Sequence, residues 1–244
     1  MTCPQCGKGV PSAPLPDPVR AELCVVFCQA RKEFCELKAQ GKTKPRPSKI
    51  AEDKMNDPAT KARMRRALAA KGLRGAAAIP EKPHAVPWNK PVPSTWRRRP
   101  MTGERLKRML APIRDRVERQ VKAKVAQVMK RKLAQKAATA WLKFVPVVNV
   151  ISTAYDIYDI ASTGYDLYKM IDEAMKKYTG KVFEIRPDVS IVGSDGSLQD
   201  IYDFKFDGDS LDNNPGQKEL YEEALGGRKR ASDMIIDQNT CKCT

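Results

Sequence analysis

The chain has 244 residues, enough for one sizeable domain with an appendage or for two small ones. Its hydrophobic share of 41% supports a packed core, while 18 prolines and 30% charged residues leave part of the chain outside that core. A net charge of +16 with a pI near 9.6 points to an anionic partner such as nucleic acid or a membrane surface.

The charge is divided unevenly. Residues 181–244 carry eight Lys/Arg against 13 Asp/Glu, and residues 1–180 carry 37 against 16. A basic body joined to an acidic C-terminal segment suits a protein that grips a polyanion and holds a carboxylate-rich site. No P-loop pattern is present, which excludes motor-type nucleotide hydrolysis. The sole histidine, His84, lies in a Pro-rich stretch, which argues against histidine-metal nucleases, histidine ribonucleases and Ser-His-Asp hydrolases. The opening MTCPQCGKGV lacks an apolar h-region, so no secretory signal is expected.

Residues 1–40 read as a cysteine-bearing helical unit. Cys3-Pro4-Gln5-Cys6-Gly7 has the shape of a zinc knuckle, which makes Cys3 and Cys6 candidate ligands of a structural Zn²⁺. The second pair would come from Cys24 and Cys28, with Cys35 in reserve. These three lie in the amphipathic stretch AELCVVFCQARKEFCEL, where they serve equally well as small buried apolar residues. Seven cysteines without a signal peptide fit a reducing compartment, and Cys241 and Cys243 add little to a metal site.

Residues 41–100 read as a Pro-rich basic linker, with a short basic helix expected at 61–78. Trp88 and Trp96 either stack on bases or tack this linker to the domain. Residues 101–180 read as a helical region. Apolar positions recur near the 3.6 period over 101–136, with Pro112 at a kink or break. The basic remainder of that helix tracks a phosphate backbone or is a solvated face. The apolar run 137–155 contains Lys143, Pro146 and Asn149, so it is a poor membrane span and a buried helix pair is expected.

After Gly180 the period switches from helix to strand. Strands are expected over 181–185, 188–192 and 198–206, the last two forming a hairpin about Asp195-Gly196. A two-residue turn there sets Asp188 opposite Asp203, their Cβ atoms about 5 Å apart. Two facing carboxylates repel unless a cation lies between them, and all available ligands are oxygen, which suits Mg²⁺ or Mn²⁺. Alternation then places Lys205 on the face of Asp203, and Tyr202, Phe204 and Phe206 on the other. A helix follows, with Gln217 and Tyr221 sharing a face at i and i+4. The fold class expected is α+β (an α/β nuclease core): a small mixed sheet with a β-hairpin flanked by helices, preceded by a largely helical basic region.

The order Pro187-Asp188, then Asp203-Phe204-Lys205, then Gln217 and Tyr221 on the next helix resembles the PD-(D/E)XK nuclease superfamily. It is most similar to the VRR-NUC branch found in bacterial effectors of type VI secretion. The resemblance covers 181–236 within a core at 181–244. It implies that Asp188, Asp203 and the Phe204 carbonyl bind Mg²⁺ or Mn²⁺, that Lys205 is catalytic, and that Gln217 and Tyr221 position the site or the DNA. An additional acid is expected from Glu173 or Glu184. The function implied is a divalent-metal-dependent DNase, an antibacterial toxin neutralised by a cognate immunity protein. Such a toxin is made in the producer's cytoplasm and delivered into that of the target cell, with residues 1–100 contacting the secretion apparatus or a chaperone. The alternative is a non-catalytic, basic nucleic-acid-binding module with a structural Zn²⁺ unit.

Overall fold

A computed structural model describes residues 9–12, 15–140 and 168–243, without the side chains of 124, 125 and 128–140. The chain divides into two units, Met1–Met101 with Val182–Thr244, and Thr102–Lys181. The fold is α+β, as expected.

The first unit opens with α1 (Pro18–Ala39), whose first turn is held by the Asp17 carboxylate accepting from the N–H groups of Val19 and Arg20. The apolar period of this helix buries Val19, Leu23, Cys24, Val26, Phe27, Cys28 and Ala30. Two further helices follow, α2 (Pro47–Asn56) and α3 (Pro58–Ala70), each with proline in its first turn. Strands β1 (Ala77–Pro80) and β2 (His84–Trp88) come next. Residues 41–100 are therefore folded structure and not a linker, and residues 1–40 are not a separate unit. The prolines misled the reading because they occupy helix first turns and strand positions that need no N–H, where proline costs little.

The C-terminal part supplies β3 (Lys181–Ile185), β4 (Val189–Val192), β5 (Leu198–Lys205), α5 (Gln217–Ala224), β6 (Ile235–Asp237) and the short α6 (Gln238–Cys241). The main sheet has the order β1-β4-β5-β6, antiparallel except for the β5–β6 pair, and β2 pairs separately with β3. A parallel neighbour requires a crossover, and α5 is that crossover. Val189, Ile191, Tyr202, Phe204 and Phe206 pack with α1, α2 and α3. Ile201 packs with α5, β2 and β3 in a second cluster that contains Trp88, Trp96 and Phe183. The two tryptophans thus belong to the core.

The hairpin differs from the expected two-residue turn. Gly193 N–H donates to Ser197 C=O at 2.8 Å and Gly196 N–H to Gly193 C=O at 2.9 Å, so the loop has three residues. Gly196 has a positive φ of 81° and Asp195 does not. A bulge at Gln199 then shifts the pairing, giving Ile191↔Asp200, Ser190↔Ile201 and Val189↔Tyr202. One step further sets Asp188 opposite Asp203, the register expected from the shorter turn. Loop and bulge each move the register by one, and the shifts cancel.

Cysteine chemistry also departs from expectation. Cys24 is joined to Cys241 and Cys28 to Cys243, and Cys35 is a buried thiol. The disulfides contradict the reading of a reduced protein, and they remove the second ligand pair that a Zn²⁺ site needs. The structural Zn²⁺ expectation is therefore corrected; Cys3 and Cys6 lie outside the described residues. Tandem disulfides arise because Cys24 and Cys28 lie one turn apart on α1, level with the closely spaced cysteines that follow β6.

In the second unit, α4 (Gly103–Ala140) runs through Pro112 without ending there. It exposes Arg105, Lys107, Arg108, Arg114, Arg119 and Lys122. The helix pair expected for 137–155 falls mainly outside the described residues. Among the described residues, no helix is long and apolar enough to cross a membrane.

Candidate active site

Asp203 lies near the C-terminal end of β5, where strand alternation turns it away from the α1 core and toward α5. It is 3% exposed. Lys205, two residues on and on the same face, brings Nζ to 2.5 Å from Asp203 Oδ2. Two successive turns of α5 deliver the other contacts. Tyr221 donates its hydroxyl to Asp203 Oδ1 at 3.0 Å, and Gln217 Nε2 donates to the Tyr221 hydroxyl at 2.7 Å and to Asp203 Oδ2 at 3.4 Å. The i, i+4 spacing brings both side chains to one carboxylate.

Asp188 precedes β4. Its Oδ2 accepts the Phe204 N–H at 2.6 Å, a charge-assisted bond across the hairpin. Even so, its carboxyl is raised well above the usual range. Burial is the largest cause, followed by the charge of Asp203, and the Glu81 carboxylate adds to it; the Phe204 N–H and Lys205 pull the other way. Burial and two like-charged neighbours outweigh one hydrogen bond and one cation.

Glu81 was not anticipated. It follows β1, has a positive φ of 51°, and donates its backbone N–H to the Asp188 carbonyl at 3.1 Å. Its carboxyl hydrogen-bonds Asp188 and is itself raised, chiefly by burial, with Glu52 and Asp203 contributing charge. Glu52 lies on α2. Both acids come from the segment read as a linker, so the reading could not have linked them to a hairpin more than 100 residues later. The one usable signal was an acid directly after the apolar run Ala76–Pro80.

The structure thus brings Asp188, Asp203, Lys205, Gln217 and Tyr221 together. It does not bring Glu184 to them. Glu184 on β3 pairs with Arg186 at 3.7 Å, and its carbonyl accepts from Arg98. Glu173 lies in the other unit and pairs with Lys176.

The Mg²⁺ or Mn²⁺ expectation is corrected. Among the described residues no three His, Cys, Asp or Glu side chains are grouped so as to hold a metal ion. Asp203 has both oxygens engaged by Lys205, Tyr221 and Gln217, and Asp188 engages the Phe204 N–H and Glu81. Lys205 brings to Asp203 the positive charge that carboxylate repulsion had suggested for a metal. Phe204 contributes its N–H to the site.

One polar group in the site is not satisfied: Gln217 Oε1 is buried without a hydrogen-bond partner. Such an orphan acceptor costs about 1–3 kcal/mol. The only histidine is also nearer than its place in the sequence suggests. His84 Nε2 lies 2.7 Å from Ser190 Oγ, and Ser190 is fully buried two residues from Asp188. No family model, curated protein or solved structure matches this chain.

Proposed function

We propose that this cluster of side chains is the active site of a phosphodiesterase acting on DNA, of PD-(D/E)XK type, within an antibacterial toxin. One observation carries the reading. Three short motifs, spaced over 34 residues from Asp188 to Tyr221, converge on a single buried carboxylate with a lysine against it. A decorated surface hairpin has no cause to bury Asp203 and Lys205 together, because a buried ion pair seldom repays its desolvation. The order β4-β5, crossover helix, parallel β6 supports the same reading.

In this mechanism a water attacks phosphorus and the bond to the leaving oxygen breaks. Asp188, its carboxyl raised by burial and by the charge of Asp203, takes the proton from water and returns it to the leaving oxygen. Lys205 offsets the charge that develops on the phosphoryl oxygens. Tyr221 and Gln217 hold Asp203, and Asp203 holds Lys205. The 37 Lys/Arg of the first 180 residues favour a polyanionic substrate. Delivery into a target cell and an immunity partner belong to the same proposal.

The test is cleavage of supercoiled plasmid by wild type, Asp203→Asn and Lys205→Ala, with and without chelator. Wild type should cleave, and each folded variant should lose about 10²-fold or more. Full activity in both variants would refute the site. Steeply salt-dependent DNA binding with no cleavage would favour the alternative, a non-catalytic nucleic-acid-binding module, for which the basic exposed face of α4 speaks.

A further inference from the structure

Strand β1 is the terminal strand of the four-stranded sheet, with β4 on one side only. The phase of its pairing tells which backbone groups face outward. Glu81 N–H bonds Asp188 C=O, so Ile79–Ser190 and Ala77–Val192, two and four steps away, are also hydrogen-bonded pairs. Ala78 and Pro80 occupy the other phase and turn their backbone groups away from β4. Ala78 therefore offers one N–H and one C=O, and Pro80 one C=O.

Next to this edge lies a cleft of about 290 Å³, with Met55 and Met64 in its wall and Ile79 and Pro80 along its strand side. Methionine walls adapt to side chains of different shapes. The same cleft is lined by Lys61 and Arg65, one turn apart on α3 and both exposed. Neither has a carboxylate within ion-pair distance among the described residues, unlike Arg63 on the same helix, which pairs with Glu22 at 3.0 Å.

We infer that this edge and cleft form a docking site for an acidic, extended segment of a partner protein, which adds to the sheet as a strand beside β1. An incoming strand satisfies the outward groups of Ala78 and Pro80. Its alternate apolar side chains enter the Met55–Met64 cleft, and its carboxylates meet Lys61 and Arg65. Charge complementarity decides the class of occupant: a neutral strand leaves two unpaired cations at the contact, and a basic one is repelled. The docked strand ends one residue from Glu81, whose N–H holds the Asp188 carbonyl. The inference is independent of the phosphodiesterase reading, since it uses no catalytic side chain.

Fluorescently labelled peptides titrated against the full chain test it. The probes are a Glu-flanked, Val-rich octapeptide, the same peptide N-methylated at alternate residues, and a version with Lys in place of Glu. The acidic peptide should bind saturably, and N-methylation or charge reversal should each weaken it about tenfold or more. Lys61→Glu with Arg65→Glu should reverse the preference between the acidic and basic peptides, with the thermal unfolding midpoint showing that the variant is folded. Equal binding of methylated and unmethylated peptides would overturn strand addition, and indifference to charge reversal would overturn the acidic partner. A self-associating chain, or peptide displaced by single-stranded DNA regardless of methylation, would assign the surface to a second copy or to nucleic acid and overturn the inference as well.

Discussion

The two disulfides make a quantitative prediction because they close nearly the same loop of chain. Cys24–Cys241 and Cys28–Cys243 join residues 217 and 215 apart. In the chain-entropy treatment, closing a loop of either length lowers the entropy of the unfolded chain by an amount worth about 5.4 kcal/mol at 25 °C. Once one bond exists, the second closes only an eight-residue ring, made of 24–28 and 241–243, worth about 2.5 kcal/mol. Removing either disulfide by paired Cys→Ser substitution should therefore cost about 2.5 kcal/mol, and removing both about 8 kcal/mol. The loss is super-additive by about 3 kcal/mol, a large share of the 5–15 kcal/mol that holds an ordinary domain folded. Urea unfolding of wild type, Cys24→Ser/Cys241→Ser, Cys28→Ser/Cys243→Ser and the quadruple variant completes the cycle, with the m-values checking that the unfolded states are comparable. Losses that add within about 1 kcal/mol would refute the shared loop closure and place the stabilisation in local contacts around each cystine. The same experiment bears on the site, because the cystines anchor the segment carrying β6, and β6 pairs with Asp203, Phe204 and Lys205.

Asp188→Asn should abolish cleavage yet stabilise the fold at neutral pH. The Asp188 carboxyl is raised, so above its ordinary value of 3.8 the native state binds more protons than the unfolded chain, and stability falls as pH rises through that window. The amide keeps an oxygen for the Phe204 N–H and removes the charge. The stability difference, variant minus wild type, should thus grow as pH rises from about 4 and level off below it, measured by denaturant titration; a flat or falling difference would contradict the charge crowding by Asp203 and Glu81. Gly216→Ala should destabilise by about 2–5 kcal/mol, combining a left-handed backbone with overpacking. Gly216 has φ of 88°, and a Cβ there would lie 2.5 Å from Trp96 Cδ2, in a ring already wedged against Trp88 and Phe183. Because Gly216 caps α5, plasmid cleavage should fall too; a loss below 0.5 kcal/mol in urea unfolding would show that Trp96 can yield.

What was legible in the chain was local, and what was missed was long-range. Strand alternation separated Asp203 and Lys205 from Tyr202, Phe204 and Phe206 correctly, since period two needs only neighbours. Helical spacing likewise put Gln217 and Tyr221 on one face. The Asp188–Asp203 register was right for an incomplete reason: the expected turn was too short by one residue, and the bulge at Gln199, with no sequence signal of its own, restored the pairing. Glu81 and the cystine partners were out of reach because each depends on what α1 and β1 pack against, and composition had assigned β1 to a linker.

The same distinction explains the metal expectation. Repulsion between Asp188 and Asp203 was a sound inference from register, but repulsion requires only some relief, and the chain provides several kinds. Lys205 supplies a cation, Tyr221 and Gln217 supply donors to Asp203, and the Phe204 N–H donates to an oxygen of Asp188. Pairwise geometry identifies a site where charge must be balanced. Only the surrounding shell, drawn here from α2, β1, β5 and α5, decides whether side chains, protons or a ligand balance it.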